Sequence, residues 1–344
     1  MHKSFRKTAI TALLLVYLVI AAGAIVRMTG SGMGCPDWPK CFGYYIPPTE
    51  ASELEWTPQK KYEKGQVIIL NEALQVAKSN FTSTTTFKDK NWELYTKHEY
   101  AIFNPWHTWI EFINRLLGAL AGLATLVLAV RSFPSWKTNK TITIISVLTV
   151  FAMGFQAWLG ATVVYSVLEP VKITVHMVMA LVIVAMLLYL VYATRDKSSS
   201  VQAPKKILGL LILAIAVTLV QIVLGTQVRQ FVDEQIDVVG EAAKNLWLEH
   251  PPIQFYVHRS FSIFVVLLNL FIAYSIRKAH LALTKINAVI GILVLEALSG
   301  ILMYYFDFSF ASQPIHLILA TFLFSVQFYL VLEAMNPKTS HKTS

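Results

Sequence analysis

Eight runs of about 20 apolar residues dominate this chain, at 8–28, 107–130, 141–164, 171–193, 206–228, 256–276, 285–306 and 313–335. At 1.5 Å of rise per residue, each helix is long enough to cross a hydrocarbon layer of about 30 Å. A bilayer admits only helices and closed barrels, because each main-chain polar group must be paired within the protein. Periods of this length give helices, so the expected fold class is an all-α integral membrane protein with eight transmembrane helices. With 55% hydrophobic and 14% charged residues, the composition excludes an ordinary soluble domain.

The distribution of Lys and Arg explains the net charge of +9 without a nucleic-acid partner. The N-terminal "MHKSFRK", the links "RSFPSWKTNK", "TRDKSSSVQAPKK" and "RKAHLALTK" and the tail are basic. The long connection 29–106 is near balance, and "QFVDEQIDVVGEAAKNLWLEH" is acidic. The positive-inside rule then places both termini in the cytoplasm and the long loop outside. No Arg-rich, Ser-rich transit segment precedes the first span, which favours a bacterial plasma (inner) membrane. In the long loop, "GQVIILNEALQVAKS" reads either as an amphipathic piece at the lipid surface or as part of a small packed cap. Residues 337–344 read as a disordered cytoplasmic tail.

Self-comparison divides the chain in two. "QAWLGATVV" in segment three and "QIVLGTQVR" in segment five are alike, and "EALSGILM" in segment seven follows the same pattern. "FINR", "TVHM", "YVHR" and "PIHL" recur in segments two, four, six and eight. Laid over one another, Asn114–Arg115 falls on His258–Arg259, and His176 falls on His316. The first pair is 62 residues apart and the second 58 (176 − 114 and 316 − 258). The expected architecture is two pseudo-symmetric four-helix bundles: 1–196 with the loop 29–106, and 205–336.

Histidines inside a bilayer are costly and mark sites. His258 and His316 belong to one half and can face each other across a bundle, an arrangement suited to the two faces of a haem iron. Zinc fits less well, since no further ligand stands at the usual spacing. Arg27, Arg115, Arg229 and Arg259 recur near the outer boundary; they either snorkel to water or pair with carboxylates of a ligand such as haem propionates. Gln156, Gln221 and Glu296 each stand four residues before a glycine, Gly160, Gly225 and Gly300, and could hydrogen-bond across helices. Cys35 and Cys41 lie on the outer side, where a disulfide is preferred over free thiols or a metal pair.

The stretches "RMTGSGMGCPDWPKC", "EFxxR", "QxxLGxxVV" and "HR" together resemble the haem A synthase family over almost the whole chain. That resemblance implies oxidation of a ring methyl of haem O to a formyl group through hydroxylation, yielding haem A for cytochrome oxidase. It implies haem b as the cofactor, with His258 and His316 as its iron ligands and Arg27, Arg115, Arg229 and Arg259 around bound haem. The substrate haem O then lies on the N-terminal side with His176 as an iron ligand, and Glu111 and His176 are the implied catalytic residues. Cys35 and Cys41 match the family's paired cysteines. Haem O synthase, the cytochrome oxidase assembly machinery and membrane lipid are the implied partners; the electron acceptor is unnamed, and a homo-oligomer is open.

One residue departs from the family. "EFINR" stands where "EYxHR" is expected, so Asn114 replaces a histidine that the internal repeat also calls for. An amide is a poor iron ligand, which leaves His176 as the strong one. His107, seven residues earlier, lies about 10 Å along the axis, too far to take that place without moving the ligand. Phe255 is the counterpart of Glu111, so the acid is confined to the first half. The competing function is a b-type membrane cytochrome that transfers electrons without altering haem; a transporter would need broken helices that the odd segments lack.

Overall fold

The computed structural model describes residues 2–195, 203–308 and 311–335. Eight helices long and apolar enough to cross a membrane occur among them. They are α1 (His2–Met28), α2 (Pro105–Ser132), α3 (Lys140–Tyr165), α4 (Pro170–Ala193), α5 (Lys205–Val239), α6 (Ile253–Lys278), α7 (Ile286–Tyr305) and α8 (Ser312–Ala334). The chain is a multi-pass membrane protein. The expected boundary between repeat halves, 196–205, falls mostly outside the described residues, as does the tail 337–344.

By internal contacts the chain forms two compact units. One comprises Met1–Leu14, Ala124–Phe151 and Val178–Ser344; the other comprises Leu15–Leu123 and Ala152–Met177. Each of α1 to α4 therefore contributes residues to both.

In the first unit α5 packs on α6 and α8, and α7 packs on both α8 and α6, closing a four-membered ring. Its core is aliphatic, with Leu211, Ala214, Ile272, Val289 and Leu330 at most 1% exposed. Asn269 and Gln327 are also buried and joined: Gln327 Nε2 donates to Asn269 Oδ1 at 3.1 Å, and Asn269 Nδ2 donates to the Val265 carbonyl at 2.8 Å. A lone amide in that setting would cost about 1–3 kcal/mol. Also in this unit, Arg131 near the end of α2 donates to the hydroxyls of Thr8 and Ser4 on α1.

Helix α5 has 35 residues, about 52 Å at 1.5 Å each. It continues well past the apolar run that ends at 228, through "QFVDEQIDVV", where no Gly or Pro interrupts it and the i,i+4 pairs Arg229–Asp233 (2.7 Å) and Gln230–Glu234 (2.8 Å) support the extra turns. Gly240, at φ 87°, stops it.

The loop between α1 and α2 folds into a small β structure. Strands β1 (Lys61–Tyr62) and β4 (Phe81–Thr82) pair antiparallel; β2 (Val67–Leu70), β3 (Ala73–Ala77) and β5 (Trp92–Leu94) form a three-stranded antiparallel sheet in the order β2-β3-β5. The segment 65–79 is thus a hairpin in the packed cap, and the surface-lying reading is corrected. Leu70 pairs with Ala73, and the two residues between them, Asn71 (φ 51°) and Glu72 (φ 60°), are both left-handed. That is the backbone a two-residue hairpin turn needs. Alternation sends Val67, Ile69 and Leu74 into one cluster with Cys35, Cys41, Phe42 and Leu54. Ile68 and Ala77 enter another with Tyr62 and Trp92. Both faces of the hairpin thus pack on other residues of the loop.

Candidate functional site

In the second unit the loop after α1 is closed by a disulfide between Cys35 and Cys41. Glu111 and Arg115, one turn apart on α2, hold that loop to the helix. Arg115 Nη1 donates to the carbonyls of Asp37 (2.6 Å) and Lys40 (3.0 Å), and Nη2 donates to the carbonyl of Cys35 (3.0 Å) and to Glu111 Oε1 (2.5 Å). Glu111 Oε2 accepts from the Cys35 main-chain N–H at 2.8 Å. Glu111 is only 4% exposed, and charge-assisted bonds of this kind are what make a buried carboxylate tolerable. Gly34 lets the loop approach: a Cβ there would lie 2.4 Å from the carbonyl oxygen of His107.

Asp37 completes the loop, accepting from the N–H groups of Phe42 (2.5 Å) and Gly43 (2.8 Å). Burial raises its pKa above the usual carboxylate range, with the two N–H bonds and the Arg115 charge opposing. Sequence reasoning missed this role; the signal was an acid inside a Cys-x5-Cys ring followed by Gly43 at φ 79°. Tyr95 Oη donates to the carbonyl of Pro36 at 2.7 Å, tying the sheet to the same loop.

His176 is the seventh residue of α4, in the same unit. Its carbonyl accepts from Gln156 Nε2 of α3 at 3.0 Å, and its Cε1 lies 3.3 Å from the place of a Cβ on Gly160. The same seat recurs in the other unit. The His258 carbonyl accepts from Gln221 Nε2 at 3.0 Å, and a Cβ on Gly225 would lie 3.1 Å from His258 Cε1. His316 Cε1 is 3.5 Å from a Cβ on Gly300, and Glu296 Oε1 stands 3.4 Å from His316 Nε2. A polar residue followed four places later by glycine thus seats a histidine of the next helix. The glycine admits the ring, and each Gln fixes the turn that carries it.

Asn114 lacks such a seat. Its repeat partner Gly23 has open space where a Cβ would stand, and Val19 occupies the position four residues earlier. Asn114 Oδ1 is buried and has no hydrogen-bond partner. Two changes on two helices therefore accompany the absence of the imidazole.

His258 and His316 come together with ring centroids 6.4 Å apart and planes at 75°. An ion about 2.0–2.1 Å from each of two opposed nitrogens, plus about 1.1 Å from nitrogen to ring centre, sets centroids about 6.3 Å apart. The observed separation of the ring centres matches that spacing. Among the described residues no group of three or more His, Cys, Asp or Glu is placed to hold an ion.

The arginines differ in what they touch. Arg115 serves the disulfide loop, and Arg229 pairs with Asp233. Arg259 lies over the rings of Phe255 (5.7 Å) and Tyr256 (5.5 Å), where the counterpart of Glu111 is apolar. Arg27 is half-buried in the last turn of α1. His107 is in the first turn of α2.

The family described as "Cytochrome oxidase assembly protein" matches residues 6–82 and 55–328. A heme A synthase of Flavobacterium johnsoniae is 24% identical over 360 residues, which cover 95% of this chain and 97% of that protein. Heme A synthases of Shewanella oneidensis and Shouchella clausii are each 48% identical over 42 and 48 residues. Those matches span 12% and 14% of this chain, and 13% and 16% of the relatives' own lengths.

Proposed function

The chain belongs to the cytochrome oxidase assembly protein family, and from that membership we propose that it is a haem A synthase. It oxidises a ring methyl of haem O to a formyl group through hydroxylation, making haem A for cytochrome oxidase. The observation that carries this reading is the unequal pair of sites. One unit brings two histidines to the spacing of a two-sided iron site; the other holds one seated histidine, His176, and has an amide with an unpartnered buried oxygen, Asn114, at the repeat position of the second.

In this reading His258 and His316 hold haem b, which supplies electron transfer when bound. Gln221 keeps the His258 turn in place, and Gly225 and Gly300 leave room for the rings. His176 binds the iron of the substrate haem O, and Asn114 leaves the opposite face without a strong protein ligand. That favours exchangeable substrate binding, as release of product demands. Glu111 and Arg115 fix the disulfide loop over the start of α2; Glu111 is placed there to hold or pass a proton as the methyl group is oxidised, at a cost to its bond with Arg115. Arg27, Arg229 and Arg259 are the candidates to pair with propionates at the outer boundary, Arg229 in exchange for its bond with Asp233.

The basic links support a topology with both termini in the cytoplasm and the β structure on the outer side of a bacterial plasma membrane. Haem O synthase is the natural supplier, because so apolar a substrate does not cross water freely.

The experiment is extraction and chromatography of haems from the purified protein, expressed beside a haem O synthase, as the native chain, His176→Ala and Asn114→His. Haem A or its hydroxylated precursor with the native chain, lost on His176→Ala, is expected. Haem b alone in every sample would replace the enzyme with a b-type cytochrome.

A further inference from the structure

The two histidines of the C-terminal bundle differ in what stands behind the ring. His316 Nδ1 lies 2.8 Å from Ser299 Oγ, and the same Oγ lies 2.8 Å from the carbonyl oxygen of Glu296. A serine hydroxyl has one proton to give. Donated to the carbonyl three residues back, as helical serines do, it leaves Oγ as the acceptor toward the ring. The proton in the Nδ1···Oγ contact then belongs to the imidazole, and Nε2 carries the lone pair. His258 has no such partner: its Nδ1 is buried without a hydrogen bond, and Leu224 precedes Gly225 where Ser299 precedes Gly300. His176 is in the same position, with Leu159 before Gly160 and an unpartnered Nδ1.

We infer that Ser299 is a positioning residue for the haem iron: it fixes His316 as the Nδ1–H tautomer, presents Nε2 to the metal and makes His316 the stronger donor of the pair. The inference rests on the reading of His258 and His316 as haem b ligands. A ligating histidine that donates its other N–H gains basicity at the bound nitrogen and is held in orientation. A more basic axial ligand stabilises ferric over ferrous iron, so hydrogen bonding behind the ligand is one of the protein's levers on potential. Of the two rings, His316 has a hydroxyl behind it and His258 has none, so the proposed lever acts from the His316 side.

The test uses the purified full chain with its haem b, as native protein, Ser299→Ala and Ser299→Thr. The readouts are the midpoint potential and the electron paramagnetic resonance spectrum of the ferric haem. Ser299→Ala is expected to keep a low-spin haem while the ferric preference weakens threefold to tenfold, a rise of about 30–60 mV at about 59 mV per tenfold for one electron. Ser299→Thr, which keeps the hydroxyl, is expected to restore the native potential and spectrum. An unchanged potential in Ser299→Ala overturns the inference and leaves the ligand reading standing. Where Ser299→Ala does not accumulate, Ser299→Cys takes its place, since a thiol is a poor acceptor of similar size; the same rise supports the inference and an unchanged value overturns it. His258→Ala and His316→Ala test the ligand reading itself. A low-spin haem that survives both removes the reading, and the inference with it.

Discussion

Replacing Gly225 by alanine puts a methyl group 3.1 Å from His258 Cε1, with Nδ1 and Nε2 at 3.7 and 3.8 Å. Carbon atoms pack best at about 3.5–4.0 Å, so the ring must retreat by roughly 0.4 Å. The turn that carries it is pinned, because Gln221 holds the His258 carbonyl at 3.0 Å. Gly300→Ala is the internal control: there the new methyl group stands 3.5 Å from His316 Cε1, which is ordinary contact. Both substitutions gain about 0.8–1.0 kcal/mol of helix propensity. Only Gly225→Ala incurs an overpacking cost of about 1–3 kcal/mol. The expected net effect at 225 therefore runs from nothing to a loss of about 2 kcal/mol, up to about thirtyfold in an equilibrium constant, while 300 stays neutral or gains. Haem b per chain and thermal unfolding in detergent read the difference. Gly300→Ala should keep full haem, and Gly225→Ala should lose haem and melt lower. Equal behaviour of the two variants, or the reverse order, refutes the seat as the determinant of ring position.

Three further outcomes follow from the outer loop. Cys35→Ser is expected to cost about 2 kcal/mol, from the chain-entropy estimate for so short a ring; a melting temperature equal to the native value under non-reducing conditions would contradict it. Glu111→Gln keeps an acceptor for the Cys35 N–H but strips Arg115 of its charge partner, for a loss of about 3 kcal/mol. It should therefore lower the melting temperature as well as haem A output, and a loss of output at unchanged stability would show that the carboxylate acts in the chemistry alone. Asp37 has a native pKa raised by burial, so its protonated form is favoured by folding. Its contribution is greatest below the ordinary carboxylate pKa and is lost as pH rises through the raised native value. Asp37→Asn should flatten that fall in a melting series from about pH 4 to pH 7, and an unaltered slope would disprove it.

The helices were legible because a bilayer admits so few structures; runs of 20 apolar residues leave little choice. The histidine seats were half legible. The repeat exposed Gln156, Gln221, Glu296 and their glycines, but a motif cannot say that each Gln bonds the main chain of the next helix. Other features escaped because their causes are not local. Glu111 and Arg115 read as one helix turn, and their partners lie more than 70 residues earlier in the chain. The hairpin at 65–79 was ambiguous because short apolar runs fit either period, and only Asn71 and Glu72 in left-handed backbone decide it. The end of α5 was misplaced because hydropathy reports where the hydrocarbon stops, which is not where a helix must stop.

The empty seat at Gly23 bears on how a ligand set can change. An imidazole returned to position 114 alone would ride on a turn that no amide from α1 restrains, since Val19 stands where the other seats have Gln or Glu. On the proposed reading of a substrate haem in this half, coordination at 114 would depend on two helices, so the haem retained by Val19→Gln together with Asn114→His should exceed the sum of the separate changes. A single substitution from one metal-binding state toward another would meet a shallow gain first, which makes the one-histidine arrangement hard to leave by small steps.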